Sequence, residues 1–180
     1  MTRVLHVAAS ARGAASISRR VAGALIAALS RDDPRLSLVE RDLAAEPPPH
    51  PDATFAAPSA LKAWIDYVVR PDRTFRVTPT GKVGLLIDRP ILAIVACGGR
   101  FDDGRPGLPQ VDHLGPYLRT VFATVGLTDF QLLRLEQLRR GSEAVDQGLA
   151  AAGAWIEAQR ARLARAEPVR PTVAAAGMSR

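Results

Sequence analysis

The segment Pro90–Cys97, PILAIVAC, is aliphatic or small at every position after its proline, and Gly98-Gly99 closes it. An extended strand sends successive side chains to opposite faces of its sheet, so a run like this is apolar on both. Both faces must then be covered, and that is the situation of a parallel strand inside a helix-flanked sheet. Arg3–Ala9 is a second compact, mostly apolar run, and it ends in the small-residue loop Ser10-Ala11-Arg12-Gly13-Ala14-Ala15. After Ser16 and Ser18, apolar residues recur at Val21, Leu25 and Leu29, the spacing of one helical face. Serine suits such a start, since its hydroxyl accepts an unpaired amide hydrogen of the first turn. Asp32-Asp33-Pro34 ends that helix.

The rest of the chain continues the alternation. Leu36–Leu43 reads as a strand, Ser59–Val69 as a helix with Leu61, Trp64, Ile65 and Val68 on one face, and Leu114–Val125 as another helix. Gln131–Gln137 reads as a strand and Ser142–Leu163 as an Ala-rich closing helix. Thr74–Asp88 is an extended excursion with a turn near Pro79–Gly81, whereas residues 44–57 are Ala- and Pro-rich without a period. Strands alternating with helices predict an α/β doubly wound parallel sheet. Ligands of such sheets sit beyond the carboxyl ends of the strands, which selects the loops 10–18 and 97–104.

Composition narrows the class. The 180 residues, 47% of them hydrophobic, suffice for one domain with a full core. The longest uncharged apolar runs, Val21–Leu29 and Ile91–Cys97, fall short of the roughly 18 residues of a membrane span. Arg3 precedes an apolar run too short for a signal-peptide core, so a cytoplasmic location is expected. Cys97 is the one cysteine, and the histidines His6, His50 and His113 are scattered, so no disulfide and no metal site is expected. Of the net charge of +6, residues 160–180 carry +4: Arg160, Arg162, Arg165, Arg170 and Arg180 against Glu167. That basic tail has no interleaved aromatic residue, and a solvated C-terminus is favoured over nucleic-acid binding.

The loop Ser10–Ser18 lacks both the G-x-G-x-x-G fingerprint and a Gly-Lys-Ser/Thr close. It offers the hydroxyls of Ser10, Ser16 and Ser18 where a helix begins, which suits either a phosphate or a plain helix cap. In the second loop, the glycines of Ala96-Cys97-Gly98-Gly99 let a flat ligand approach the backbone, or simply turn the chain. Cys97 has no second cysteine and no nearby His or Asp, which favours a packing role.

Five stretches carry a family likeness: MTRVLHVAASARGAASISRRVAGAL, VERDLAAEPPPH, PSALKAWIDYVVRPDRTFRVTPTGKVGLL, ILAIVACGGRF and VDHLGPYLRTVFATVGLTDFQLLRLEQL. In this order, over residues 1 to about 140, the chain resembles the FMN-dependent NADH:quinone oxidoreductases, or azoreductases, of the flavodoxin-like superfamily. The resemblance implies a flavodoxin-like sheet and ping-pong hydride transfer, from NADH or NADPH through FMN to a quinone or azo compound. It implies Ser10, Ser16, Ile17 and Ser18 as phosphate and ribityl contacts, and Ala96, Cys97, Gly98 and Gly99 as the loop against the flavin ring. A hydroxyl residue is usual in the family where Ala96 stands, and often a polar one at Cys97, so only backbone donors remain there. No residue is assigned as catalytic acid, base or nucleophile. A homodimer is implied, for which Trp64 and Tyr67 would serve, unless they are ordinary core. The expected organisation is one FMN-binding domain over residues 1–165 and a basic flexible tail over 166–180.

One departure is large. Between Phe55 and Pro58 the chain omits a helix, a central strand and a Met-Tyr-Asn-Phe-type loop, on the order of forty residues or one βαβ crossover. In the order 2-1-3-4-5 the third strand lies beside the first. Without it, the first strand and Pro90–Cys97 must pair directly or leave backbone groups unpaired. One wall of the flavin site would be gone, with weak FMN binding and slow turnover as the expectation. A catalytically impaired scaffold or partner subunit is the alternative.

Overall fold

The computed structural model describes residues 2–10, 12–45, 57–101 and 111–165. Strand β1 (Arg3–Ala8) leads through a 3-10 turn (Gly13–Ala15) into helix α1 (Ile17–Asp32), followed by β2 (Ser37–Asp42). Helix α2 (Ser59–Val68), a hairpin of β3 (Phe75–Thr78) and β4 (Gly81–Gly84), and β5 (Ile91–Ala96) come next. Then α3 (Leu114–Thr124), β6 (Phe130–Leu135) and α4 (Ser142–Arg165) complete the order expected from the sequence. The extended excursion is the antiparallel hairpin β3–β4, turning at Pro79-Thr80 into Gly81, whose φ of +125° favours glycine. The tail 166–180 and most of the Ala- and Pro-rich stretch lie outside the described residues.

Local chemistry sets the helix bounds. Ser16 is the N-cap of α1, and its hydroxyl accepts the Arg19 amide hydrogen at 3.4 Å. At the other end Asp33 turns extended, and Pro34 cannot continue the helix. The Asp33 carboxylate accepts from the Thr2 amide at 3.1 Å and from the Thr2 hydroxyl at 2.7 Å, tying the end of α1 to the start of β1.

The described strands form three two-stranded ladders: β1 with β2 parallel, β5 with β6 parallel, and β3 with β4 antiparallel. Of the two outcomes open to a sheet without its third strand, direct pairing of β1 with β5 is not found. The β5–β6 ladder is packed on both faces. On one side Val21, Leu25 and Ala28 of α1 and Ala152 and Ile156 of α4 bury Leu133 and Leu135, with Leu92 and Ile94 against them. On the other, Ile65 of α2 and Leu118 of α3 close over Phe130, with Ile91 and Ala93 alongside, and the Phe122 and Phe130 rings stack at 5.9 Å. Trp64 joins this second cluster, while Tyr67 stands 71% exposed under the Arg70 guanidinium.

No β1 or β2 side chain belongs to either cluster, and Leu5 is 55% exposed. The run at β5, read from sequence as buried, is half-buried: among the described strands only β6 pairs with it, which leaves its other edge without a described neighbour.

The turn after α3 grips the end of β4. A Cβ on Gly84 would lie 2.2 Å from the Gly126 amide nitrogen and 2.4 Å from its Cα, both backbone atoms that cannot swing aside. Gly84→Ala is therefore expected to destabilise by about 1–3 kcal/mol, read as a lower urea midpoint at constant slope. Gly23, inside α1 with nothing within 4 Å of its would-be Cβ, is the control. Gly23→Ala should stabilise by about 0.5–1 kcal/mol.

Candidate functional site

The loop after β1 delivers its serines to the first turn of α1. Ser16 is 2% exposed, and its Oγ lies 3.0 Å from the Oγ of Ser18. Ile17 lies between them as the first residue of the helix, and its side chain packs against the α1–α4 core. The Ser10 hydroxyl accepts from the Arg12 amide at 3.4 Å. The first turn contains no acidic residue. Amide hydrogens left unpaired at a helix start, together with the dipole of the helix, attract an anion to such a place.

Two residues that the sequence reading passed over organise this loop. Arg19, in the first turn of α1, donates from Nη2 to the Ser10 carbonyl at 3.3 Å and to Asp42 Oδ1 at 2.5 Å. Asp42 is the last residue of β2, and its carboxylate also accepts from the Ala44 amide at 2.9 Å. The ion pair thus joins the loop after β1 to the end of β2. Its hydrogen bond from Arg19, and then that from Ala44, hold the Asp42 carboxyl down at about 2. Arg19 Nε is buried with no partner among the described residues. The signal was in the letters: a cation in the first turn opposes the helix dipole, and so wants a specific counter-charge.

Ala96, Cys97, Gly98 and Gly99 lie at the carboxyl end of β5, and backbone bonds tie them to the segment after β6. The Cys97 amide donates to the Leu135 carbonyl at 2.9 Å, while the Gln137 and Leu138 amides donate to Gly99 and Cys97 carbonyls at 2.8 and 3.1 Å. The Cys97 thiol points to the Leu135 carbonyl at 3.4 Å. Burial, and then the Glu136 carboxylate, push that thiol up to about 11. Cys97 thus offers a neutral, inward-turned sulfur, and the amides of Gly98 and Gly99 are the donors the loop keeps. Beside it Asp112 caps α3 through the Leu114 and Gly115 amides at 3.0 and 2.9 Å, and pairs with Arg134 on β6 at 2.5 Å. Arg134 also reaches Glu136 at 3.4 Å and covers the Phe101 ring.

The structure therefore brings Ser16, Ile17 and Ser18 together, with Ser10 bound to them through Arg19. It holds Ala96–Gly99 as a separate, ordered loop. Among the described residues no hydrogen bond or ion pair joins the two loops, and no His, Cys, Asp and Glu cluster has a metal-binding arrangement. No helix among them is long and apolar enough to cross a membrane.

Two measurements check these electrostatics. Because the folded Asp42 carboxyl lies below the ordinary carboxylate value of about 3.9, its contribution to stability is full above that value. It is lost as the pH falls toward about 2. Asp42→Asn should accordingly flatten the loss of urea midpoint between about pH 4 and pH 2. With its thiol near 11, Cys97 in the folded protein should alkylate with iodoacetamide at pH 8 about two orders of magnitude more slowly than free cysteine. A rate matching free cysteine would overturn the inward placement of the sulfur.

Comparisons with known proteins agree with this architecture. The family model described as "Flavodoxin-like fold" matches residues 51–159. FMN-dependent NADH:quinone oxidoreductase 2 of Cupriavidus pinatubonensis is 39% identical over 199 positions, covering 86% of this chain and 96% of that protein. FMN-dependent NADH:quinone oxidoreductase 4 of Pseudomonas fluorescens is 37% identical, covering 81% of this chain and 89% of its own. Among solved structures, an FMN-dependent NADH-azoreductase from Bacillus anthracis in complex with FMN superposes with a TM-score of 0.75 at 21% identity, over 91% of this chain and all of that one. The Cupriavidus alignment places 199 positions against 86% of 180 residues, about 155, so some forty positions of the relative have no counterpart here. With that identity and coverage, on a flavodoxin-like fold, the chain belongs to the family of FMN-dependent NADH:quinone oxidoreductases.

Proposed function

We propose that this protein binds FMN, with the phosphate at the start of α1, and uses it to pass electrons from NADH to quinones or azo compounds. The observation that carries the reading is the pair of hydroxyls Ser16 and Ser18, 3.0 Å apart at a helix N-terminus, beside the unpartnered Nε of Arg19. Hydroxyls and helix amides make a donor set for a phosphate, the first turn holds no acidic residue, and Arg19 offsets the charge of the nearby Asp42 carboxylate. The relatives at 39% and 37% identity carry the name of this activity, which disfavours a catalytically silent scaffold.

When bound, the flavin supplies the redox chemistry, accepting a hydride from the nicotinamide and giving the electrons to the acceptor. The chain's own residues bind and orient. Ser10, Ser16, Ile17 and Ser18 with the α1 amides anchor the phosphate and ribityl end, and Arg19 holds the loop in shape through Ser10 and Asp42. Ala96, Cys97, Gly98 and Gly99 line the ring side, with the glycine amides as donors. On this reading residues 1–165 are one FMN-binding domain followed by the basic tail 166–180. NADPH is the alternative donor. The protein works as a cytoplasmic homodimer, and exposed Tyr67 is available for a subunit contact.

Ser16→Ala combined with Ser18→Ala should weaken FMN by at least tenfold in a fluorescence titration, since each charge-assisted hydrogen bond contributes roughly 1.5–3 kcal/mol. Unchanged affinity would remove the phosphate from this loop. Gly98→Val should abolish flavin retention with a wild-type circular dichroism spectrum. The three atoms nearest to a Cβ at this position all belong to the Arg139 side chain, the first at 2.7 Å, and that side chain can move away. With some forty positions of the relative absent, wild-type protein should retain FMN through dialysis poorly and reduce quinone slowly. A stoichiometric yellow protein with rapid NADH oxidation would contradict the last expectation, and a chain that binds no FMN would sink the proposal.

A further inference from the structure

The hydrogen bonds at the ends of the parallel ladders determine which backbone groups of β1 and β5 are in use. The Ser37 amide donates to the Thr2 carbonyl and the Leu43 amide to the Ala8 carbonyl. Backbone polar groups alternate sides along a parallel strand, so Val4, His6 and Ala8 face β2. The N–H and C=O groups of Arg3, Leu5 and Val7 therefore point to the opposite edge. In β5 the Ile91 and Cys97 amides donate to Asp129 and Leu135, which assigns the odd-numbered residues to β6. Leu92, Ile94 and Ala96 then face outward. No described strand pairs with either edge.

These are the edges that flank the third strand in a 2-1-3-4-5 sheet. One superposition on the FMN-bound azoreductase takes in 91% of the chain, so both ladders fit a single flavodoxin-like arrangement although they share no hydrogen bond. The Cupriavidus relative has some forty positions that this chain lacks. On β1, at the opening, Leu5 is 55% exposed, and its register partner Val39, one strand further out on β2, is 48% exposed, although a parallel ladder is normally covered on both faces.

We propose that the opening between β1 and β5 accepts one extended aliphatic strand of another polypeptide, aligned parallel to both neighbours. Main-chain hydrogen bonds to the two free edges would supply the affinity, as in recognition by strand addition. The chemistry of the occupant follows from its surroundings. Leu92, Ala93, Ile94 and Val95 on one side and Val4, Leu5 and Val7 on the other call for apolar side chains on both faces and for no proline. A second copy of this chain does not meet the requirement. Each of its described strands already carries a partner, so it would bring a pair of strands where the occupant is a single one. Its hairpin strands also bear Arg76 and Lys82.

The test uses the full chain and a fluorescein-labelled peptide of six alternating valines and isoleucines between terminal lysines. Fluorescence anisotropy should rise saturably to a stoichiometry of one peptide per chain. Leu5→Pro removes an outward N–H without touching the β1–β2 ladder, and should weaken binding at least tenfold. The same peptide N-methylated at alternate residues cannot donate along one edge, and should lose binding to the unaltered protein to a similar degree. This second arm decides the matter if Leu5→Pro fails to fold. Binding that tolerates N-methylation would be general hydrophobic adhesion and would overturn the proposal. So would no binding, as expected if the chain fills the opening itself, or a concentration-dependent dimer that excludes the peptide.

Discussion

Burial of one face of α1 is what the remainder of the structure depends on. Val21, Leu25 and Ala28 sit against Leu133 and Leu135 of β6 and against Ala152 and Ile156 of α4, while α1 is joined covalently at either end to β1 and β2. Full burial of a valine or leucine side chain is worth roughly 1.5–3 kcal/mol. That packing holds the two parallel ladders in one molecule although no backbone hydrogen bond joins them. Side-chain burial has replaced the central ladder as the source of cohesion. Surface pairs reinforce it: Arg160 of α4 donates to both oxygens of Asp32 at the end of α1, at 2.6 and 2.8 Å. Exposed pairs of this kind contribute less than a single buried aliphatic residue.

The same arrangement explains why the open edges persist. A backbone group left unpaired in a dry interior costs about 1–3 kcal/mol. On the outward edge of β1 the cost is relieved at Arg3 and Leu5, which are exposed, Leu5 to 55%. Collapse of β1 onto β5 would cover that edge, but α1 already occupies its place against β5 and β6, and moving β1 would drag α1 out of the core. Packing of α1 therefore prevails over pairing of β1.

The two loops inherit different degrees of order from these supports. The loop after β1 is fixed electrostatically, by Arg19 reaching both Ser10 and Asp42, so its geometry depends on an ion pair between α1 and β2. The loop after β5 is fixed by backbone bonds to the segment after β6 and is less sensitive to pH or salt. One end of the candidate site thus answers to charge and the other to the integrity of the β5–β6 ladder.

The order of elements follows from the letters alone, because period, capping and chain breakers are local properties. Ser16 capped the helix it was expected to cap, Pro34 ended it, and PILAIVAC became a strand. The family, the serine-bearing helix start and a shortfall of some forty positions were also legible in the letters. That β1 and β5 stay apart is set by long-range packing, since the outcome weighs solvent at an edge against the packing of α1 in the core. Arg19–Asp42 and Arg134–Asp112 lie 23 and 22 residues apart, and nothing in the intervening letters pairs them. The same holds for the thiol of Cys97, whose inward turn depends on a carbonyl 38 positions away. Contacts between distant residues are fixed by where the ladders and helices pack, and that is information no local pattern carries.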